Sequence, residues 1–241
     1  MEYHFDATED FLVRQSEIYI LLNTANEKND KKDTFLKLAV VSLVTKFQVY
    51  IESVLKEFLY YITSSNIRYN KLPIYMRLNS IRIGLNDNAL SKLSKHNKFD
   101  LDTSGKIKNY LESINYIIDE NLVVDEKLKI NTSFPLGRTG KGELLGLFKQ
   151  IDGDDNIFRN KDTNEDIFDI NQLDSLLQTR HLIIHQDRFN QTENKIEEYI
   201  NYLNEVVLFC DDYLNDKLSE YGISLEKKTY DSDLTNSNAH S

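Results

Sequence analysis

The segment Leu173-Asp174-Ser175-Leu176-Leu177-Gln178-Thr179-Arg180-His181-Leu182-Ile183-Ile184-His185-Gln186-Asp187 concentrates the residues best suited to chemistry. Leu173, Leu176 and Leu177 form an apolar helical stripe, and Arg180 continues it. A guanidinium on such a stripe is costly unless it is paired or faces an opening. Arg180 therefore points to a cleft or an interface, or to a surface pairing with Asp174 or Asp187. His181 and His185 stand four apart and share one helix face. An imidazole exchanges a proton near neutral pH, and a guanidinium holds a phosphate through paired hydrogen bonds.

The two histidines also have the spacing of the H-E-x-x-H zinc helix, with Asp187 as a possible third ligand. Leu182 stands where that motif carries its general base, so no metal is expected here. With eight Arg and five His in 241 residues, an Arg five positions before a His arises now and then by chance. Spacing alone decides nothing, and the surrounding elements must.

Those elements read as helices. The chain has only 2 Pro and 8 Gly, and its apolar residues recur at spacings of three and four. The clearest helix starts at a cap on Asp33 and carries Phe35, Leu38, Val41, Val44, Phe47, Ile51, Val54, Phe58 and Tyr61 to about Thr63. It is apolar most of the way round, which predicts burial. A first helix is expected over Phe5–Asn26. Shorter ones follow at Leu72–Gly84, Asn86–Lys95 and Ser104–Asp119, the last with Leu111, Ile117 and Ile118 inward. Lys127–Asn131 could be extended. Five of the eight glycines lie between Gly137 and Gly153, in an irregular region that holds a short helix, Glu143–Ile151. Asp169 with Gln172, and Asn190 with Glu193, read as capping boxes for the site helix and for a last long helix carrying Ile196, Tyr199, Ile200, Leu203, Val206, Val207, Cys210, Tyr213 and Leu214. Residues 1–222 read as one helical domain and 223–241 as a polar, disordered tail.

Composition narrows the function classes. A single cysteine, Cys210, excludes a disulfide scaffold and any four-cysteine metal site. The net charge of −10 disfavours general nucleic-acid binding. From Glu193 onward there are eleven Asp or Glu against four Lys, so the first 192 residues carry only −3 and can hold a local basic site. The opening Met1-Glu2-Tyr3-His4-Phe5-Asp6 has no basic or apolar leader. No unbroken apolar run approaches the ~20 residues that span a bilayer, so a cytoplasmic location and no membrane partner are expected. The Gly137–Gly142 loop lacks the Gly-Lys-Ser/Thr ending of a phosphate loop. The run from Asp152 lacks the sixth-position Gly and twelfth-position Glu of a calcium loop.

The pattern Leu-x-x-Leu-Leu-x-x-Arg-His-x-Ile-Ile-His resembles the HEPN superfamily signature, an arginine, a polar residue and then a histidine on a late helix of an α-helical bundle. Phe47-Gln48-Val49-Tyr50-Ile51-Glu52 resembles the aromatic and acidic stretch of the RiboL-PSP-HEPN kind, and Gly137-Arg138-Thr139-Gly140-Lys141-Gly142 before Leu144–Phe148 fits the same proteins. The usual Asn after the Arg is His181 here, and Asp187 stands where one variant of the family has a modified tyrosine.

The resemblance implies an all-α HEPN-like bundle with short extra helices and a glycine-rich loop insertion. It also implies a homodimeric, metal-independent endoribonuclease with no cofactor, set in a toxin or anti-phage system with an antitoxin or regulatory partner. His185 would be general acid or base, Arg180 would hold the scissile phosphate, and His181 would orient His185 or contact phosphate. Glu52 would be a supporting acid, and Arg138 and Lys141 would contact the RNA backbone. Residues five apart on a helix point roughly 140° apart. Either the helix end is distorted, or Arg180 and His185 approach the phosphate from different sides of a dimer axis. A non-catalytic dimeric scaffold is the alternative.

Overall fold

Lys32–Ser64 forms the helix around which the other elements gather. The computed structural model describes residues 1–86, 111, 114–115, 117–135 and 140–230. Along the chain these residues form β1 (Glu2–Tyr3), α1 (Asp6–Arg14), α2 (Ser16–Glu27), α3 (Lys32–Ser64), α4 (Ile74–Asn86), α5 (Gly140–Asp152), α6 (Asn171–Gln186), α7 (Glu193–Glu220) and β2 (Lys228–Thr229). The fold is all-α, with β1 and β2 forming one small antiparallel pair.

Helix α3 buries Leu36, Val40, Leu43, Val44, Phe47, Ile51, Val54, Leu55, Phe58 and Ile62 against α1, α2, α6 and α7. The buried stripe is narrower than the apolar pattern predicts. Leu38 and Val49 are about half exposed and Tyr60 more so, because α1 and α6 flank α3 without covering its outer face. Asn29–Ser64 is long and apolar enough by composition to cross a bilayer, which a search for unbroken apolar runs misses. Half of its most apolar stretch is buried inside the protein, and its place at the centre of the core accounts for its hydropathy.

The amino-terminal region differs from one continuous helix. It breaks at Gln15, whose N–H bonds Leu12 O at 3.3 Å and whose carbonyl accepts the N–H groups of Ile18 and Tyr19. Helix α1 has no cap from its own N-cap residue, Phe5. Two distant carboxylates do that work. Asp211 of α7 is fully buried and accepts from His4 N (2.8 Å), His4 Nδ1 (2.8 Å), Phe5 N (3.0 Å) and the Thr8 hydroxyl (2.6 Å). Glu57 of α3 accepts from Ala7 N at 2.9 Å. The orphan donors of a helix start are thus met by side chains of other helices. Buried Tyr50 also ties α3 to α7, donating to Val207 O at 2.8 Å.

Other caps differ from the expected ones. Asp33 lies in the first turn of α3 and pairs with Lys37 at 2.7 Å instead of capping the helix. Asp169 accepts Asn171 N–H two residues on and forms no box with Gln172. Thr192, and not Asn190, caps α7 through Lys195 N, while Glu193 turns to Asn26. Residues 127–131 form no strand and no helix. Ile117 is buried, but Leu111 and Ile118 are exposed. The segment after Gly222 is ordered at first: Ile223, Leu225 and Tyr230 pack on the core, β2 pairs with β1, and the Met1 amine donates to Tyr230 O at 2.8 Å. The expected helix over Asn86–Lys95, most of Ser104–Asp119 and the tail from 231 lie outside the described residues.

Candidate active site on the late helix

Helix α6 is fixed on three sides. Leu173, Leu176 and Leu177 are buried in the core, as their spacing predicts. The Ser175 and Tyr199 hydroxyls meet at 3.0 Å and join α6 to α7, and Thr179 donates to Ser175 O at 2.9 Å. On another flank α5 starts directly against α6. A Cβ at Gly140 would fall on the end of the buried Leu177 side chain, which would have to move aside. The Asp174 carboxylate accepts Lys141 N–H at 2.9 Å and caps α5 from outside.

The carboxyl end of α6 is held by α3. Asp187 lies just past Gln186 in the left-handed region, with φ 51° and ψ 27°. Its N–H bonds Ile183 O at 3.1 Å, the five-to-one bond of a simple left-handed cap, and Arg188 N–H bonds Leu182 O at 3.2 Å. Lys37 Nζ reaches Asp187 Oδ1 at 2.8 Å and its backbone oxygen at 3.4 Å. Hydrogen bonds to Asp187 and then Asp33 hold the Lys37 ammonium above its usual pKa.

Between these anchors lie the three predicted residues. Arg180 is half-buried, and its Nε is shielded from solvent with no hydrogen-bond partner among the described residues. Neither expected surface partner pairs with it among those residues, since Asp174 caps α5 and Asp187 binds Lys37. His181 is half-buried and His185 exposed, with ring centroids 4.5 Å apart and planes at 45°. The helix is regular through Gln186, so a distorted helix end does not bring Arg180 and His185 together. Burial, and then the nearby Asp174 charge, raise the Glu143 carboxyl above its ordinary pKa.

The remaining predicted residues are dispersed. Lys141 begins α5 at Asp174, seven positions before His181 and thus roughly 10 Å from it along the helix. Arg138 lies outside the described residues. Glu52 Oε1 accepts from Phe134 N (3.1 Å) and Gln48 Nε2 (3.2 Å), fastening the 134 region to α3. It stands fifteen residues from Lys37, about 22 Å along the helix, so the structure does not bring it to the His185 end. The Asp33–Lys37 spacing was visible as an i,i+4 ion pair. Nothing local marks the contact of Lys37 with Asp187 or the cap that Asp174 provides.

A metal at the two histidines would need a third ligand, and Asp187 is engaged by Lys37. Among the described residues, His4, Asp211 and Asp212 form the group close enough to hold a cation. Each Asp211 oxygen there already accepts two donors.

The all-α bundle carries Arg180, His181 and His185 on a late helix, Asn171–Gln186. The RiboL-PSP-HEPN family model matches residues 9–220, and the chain belongs to that family. No curated protein and no solved structure matches it.

Proposed function

We propose that the protein is a metal-independent endoribonuclease of the cytoplasm, working as a homodimer in a toxin or anti-phage setting under an antitoxin or other regulatory partner. The observation that carries this reading is Arg180: a shielded Nε without a partner among the described residues, on the helix that carries His181 and His185, in a chain of the RiboL-PSP-HEPN family. Burying a cationic edge unpaired is unfavourable, and an anion arriving from outside supplies what is missing.

RNA brings its own nucleophile. A base takes the proton of the 2′-hydroxyl, the 2′-oxygen attacks phosphorus, and the bond to the 5′-oxygen breaks as an acid returns a proton to it. The products are a 2′,3′-cyclic phosphate and a 5′-hydroxyl. His185, the exposed ring, is the acid or base. Arg180 holds the scissile phosphate and stabilises its developing charge, His181 orients His185, and Lys141 and Arg138 contact the flanking backbone. The regular helix supports two copies contributing to one cleft, because Arg180 and His185 of one chain point roughly 140° apart. Glu52 acts at a distance in this reading, by fastening the 134 region to α3.

The test incubates wild type and His185→Ala with total RNA and tRNA, with and without EDTA. Cleavage that survives EDTA and disappears in the variant is expected. Cleavage lost to EDTA would point to a metal at the histidine pair, and no cleavage by pure wild type, alone or with its regulator removed, would favour a binding scaffold.

A further inference from the structure

Asp187 presents a conflict between backbone and side chain. At φ 51° glycine is the favoured residue, and an aspartate there carries a steric penalty. Surface stability does not explain its presence. Its side chain is 89% exposed, and an ion pair on open surface contributes little. What the aspartate does is geometric. Lys37 is only 18% exposed on its side chain, and it grips both the carboxylate and the carbonyl of Asp187. Asp33 holds the same ammonium at 2.7 Å from the other side, so Lys37 is itself kept in place. The last turn of α6, where His185 stands, is therefore tied to the core helix two residues beyond the histidine. A helix end otherwise frays.

We infer that Lys37 and Asp187 are positioning residues: their contact fixes the last turn of α6 and so aims His185 and keeps it against His181. Neither residue touches the reacting atoms. The inference takes its catalytic readout from the ribonuclease reading, but its structural readout is independent of it.

Two variants separate aiming from folding. Asp187→Gly removes the carboxylate and supplies the residue best suited to the left-handed backbone, so the fold is kept. Lys37→Met keeps the aliphatic stem and leaves two exposed carboxylates, which water solvates. Each single variant is expected to lower kcat about 10- to 100-fold, the loss that follows a small misplacement of a catalytic group, with KM within about two-fold. A role for Lys37 in simple attraction of RNA would instead appear in KM. The double variant is expected to lose no more than the worse single one, since both act through one contact. By NMR, the through-space signal between the ring protons of His181 and His185 is expected in wild type and weakened in both variants. Wild-type cleavage rates with that signal intact in both variants would overturn the inference, as would losses that simply multiply in the double variant. If wild type does not cut RNA but the ring signal still weakens in the variants, the clamp stands and the ribonuclease reading falls.

Discussion

Two buried charges in this protein are treated in opposite ways. Asp211 sits in the core with four donors around its two oxygens, and Arg180 sits at the edge of the core with a shielded Nε that has no partner among the described residues. The first belongs to architecture: it closes the start of α1 and ties the amino-terminal residues to α7. The second is what an architecture alone would avoid. Arg77 sharpens the contrast. Its Nε is also without a partner, yet its guanidinium reaches Glu120 at 3.0 Å. Where a buried charge is fully met, removing it should damage the fold. Where it is left open, removing it should damage only function.

The largest effect should come from Asp211→Ala. It strands several buried donors and is expected to lower unfolding stability by about 3–5 kcal/mol, read by urea or thermal denaturation. A loss under about 1 kcal/mol would break the comparison. Arg180→Met is expected to do the reverse: stability unchanged or raised, with RNA cleavage lower by about 100-fold or more in single-turnover assays. A strongly destabilised Arg180→Met would move this arginine into the architectural group. Thr192→Ala, which removes an exposed cap and strands no buried group, should lower stability by about 1 kcal/mol.

Glu143 gives the smallest effect and a test of sign. Its Oε2 is shielded without a partner among the described residues, and burial and then the Asp174 charge raise its carboxyl pKa. The folded state then holds the proton more tightly than the unfolded chain, so stability is lost as pH rises through the raised value. Glu143→Gln should therefore gain stability at pH 7 and none at pH 3, as urea midpoints at the two pH values would show.

What was legible in the sequence was whatever local periodicity encodes. The existence and the inward faces of α3 and α7 and the stripe Leu173, Leu176, Leu177 follow from spacing, and Arg180 stood out because it puts a charge on that stripe. The break at Gln15 was hidden, for no glycine or proline marks it. Capping went astray for one reason: several donors here are met from across the molecule. Asp211 caps α1, Asp174 caps α5, and Asp169 and Asn190 hold apparent boxes that the structure does not use. The left-handed turn at Asp187 lay in a residue that tolerates it without announcing it. The ordered strand after Gly222 was obscured because a polar stretch reads as solvated until its partner strand, more than 220 positions away, is in view.

The span between His4 and Asp211, 207 positions, also sets an order of events. Contacts between such remote parts of a chain form slowly, because the loop between them must close first. While the chain is being made, α1 has only the Glu57 part of its cap until Asp211 emerges, β1 has no strand neighbour until β2 follows, and α6 lacks the Tyr199 hydroxyl that holds its Ser175. The bundle is therefore completed only once α7 and β2 have been made. For a chain read as a cutter of RNA, a nascent copy that still lacks α7 has its site helix only partly held.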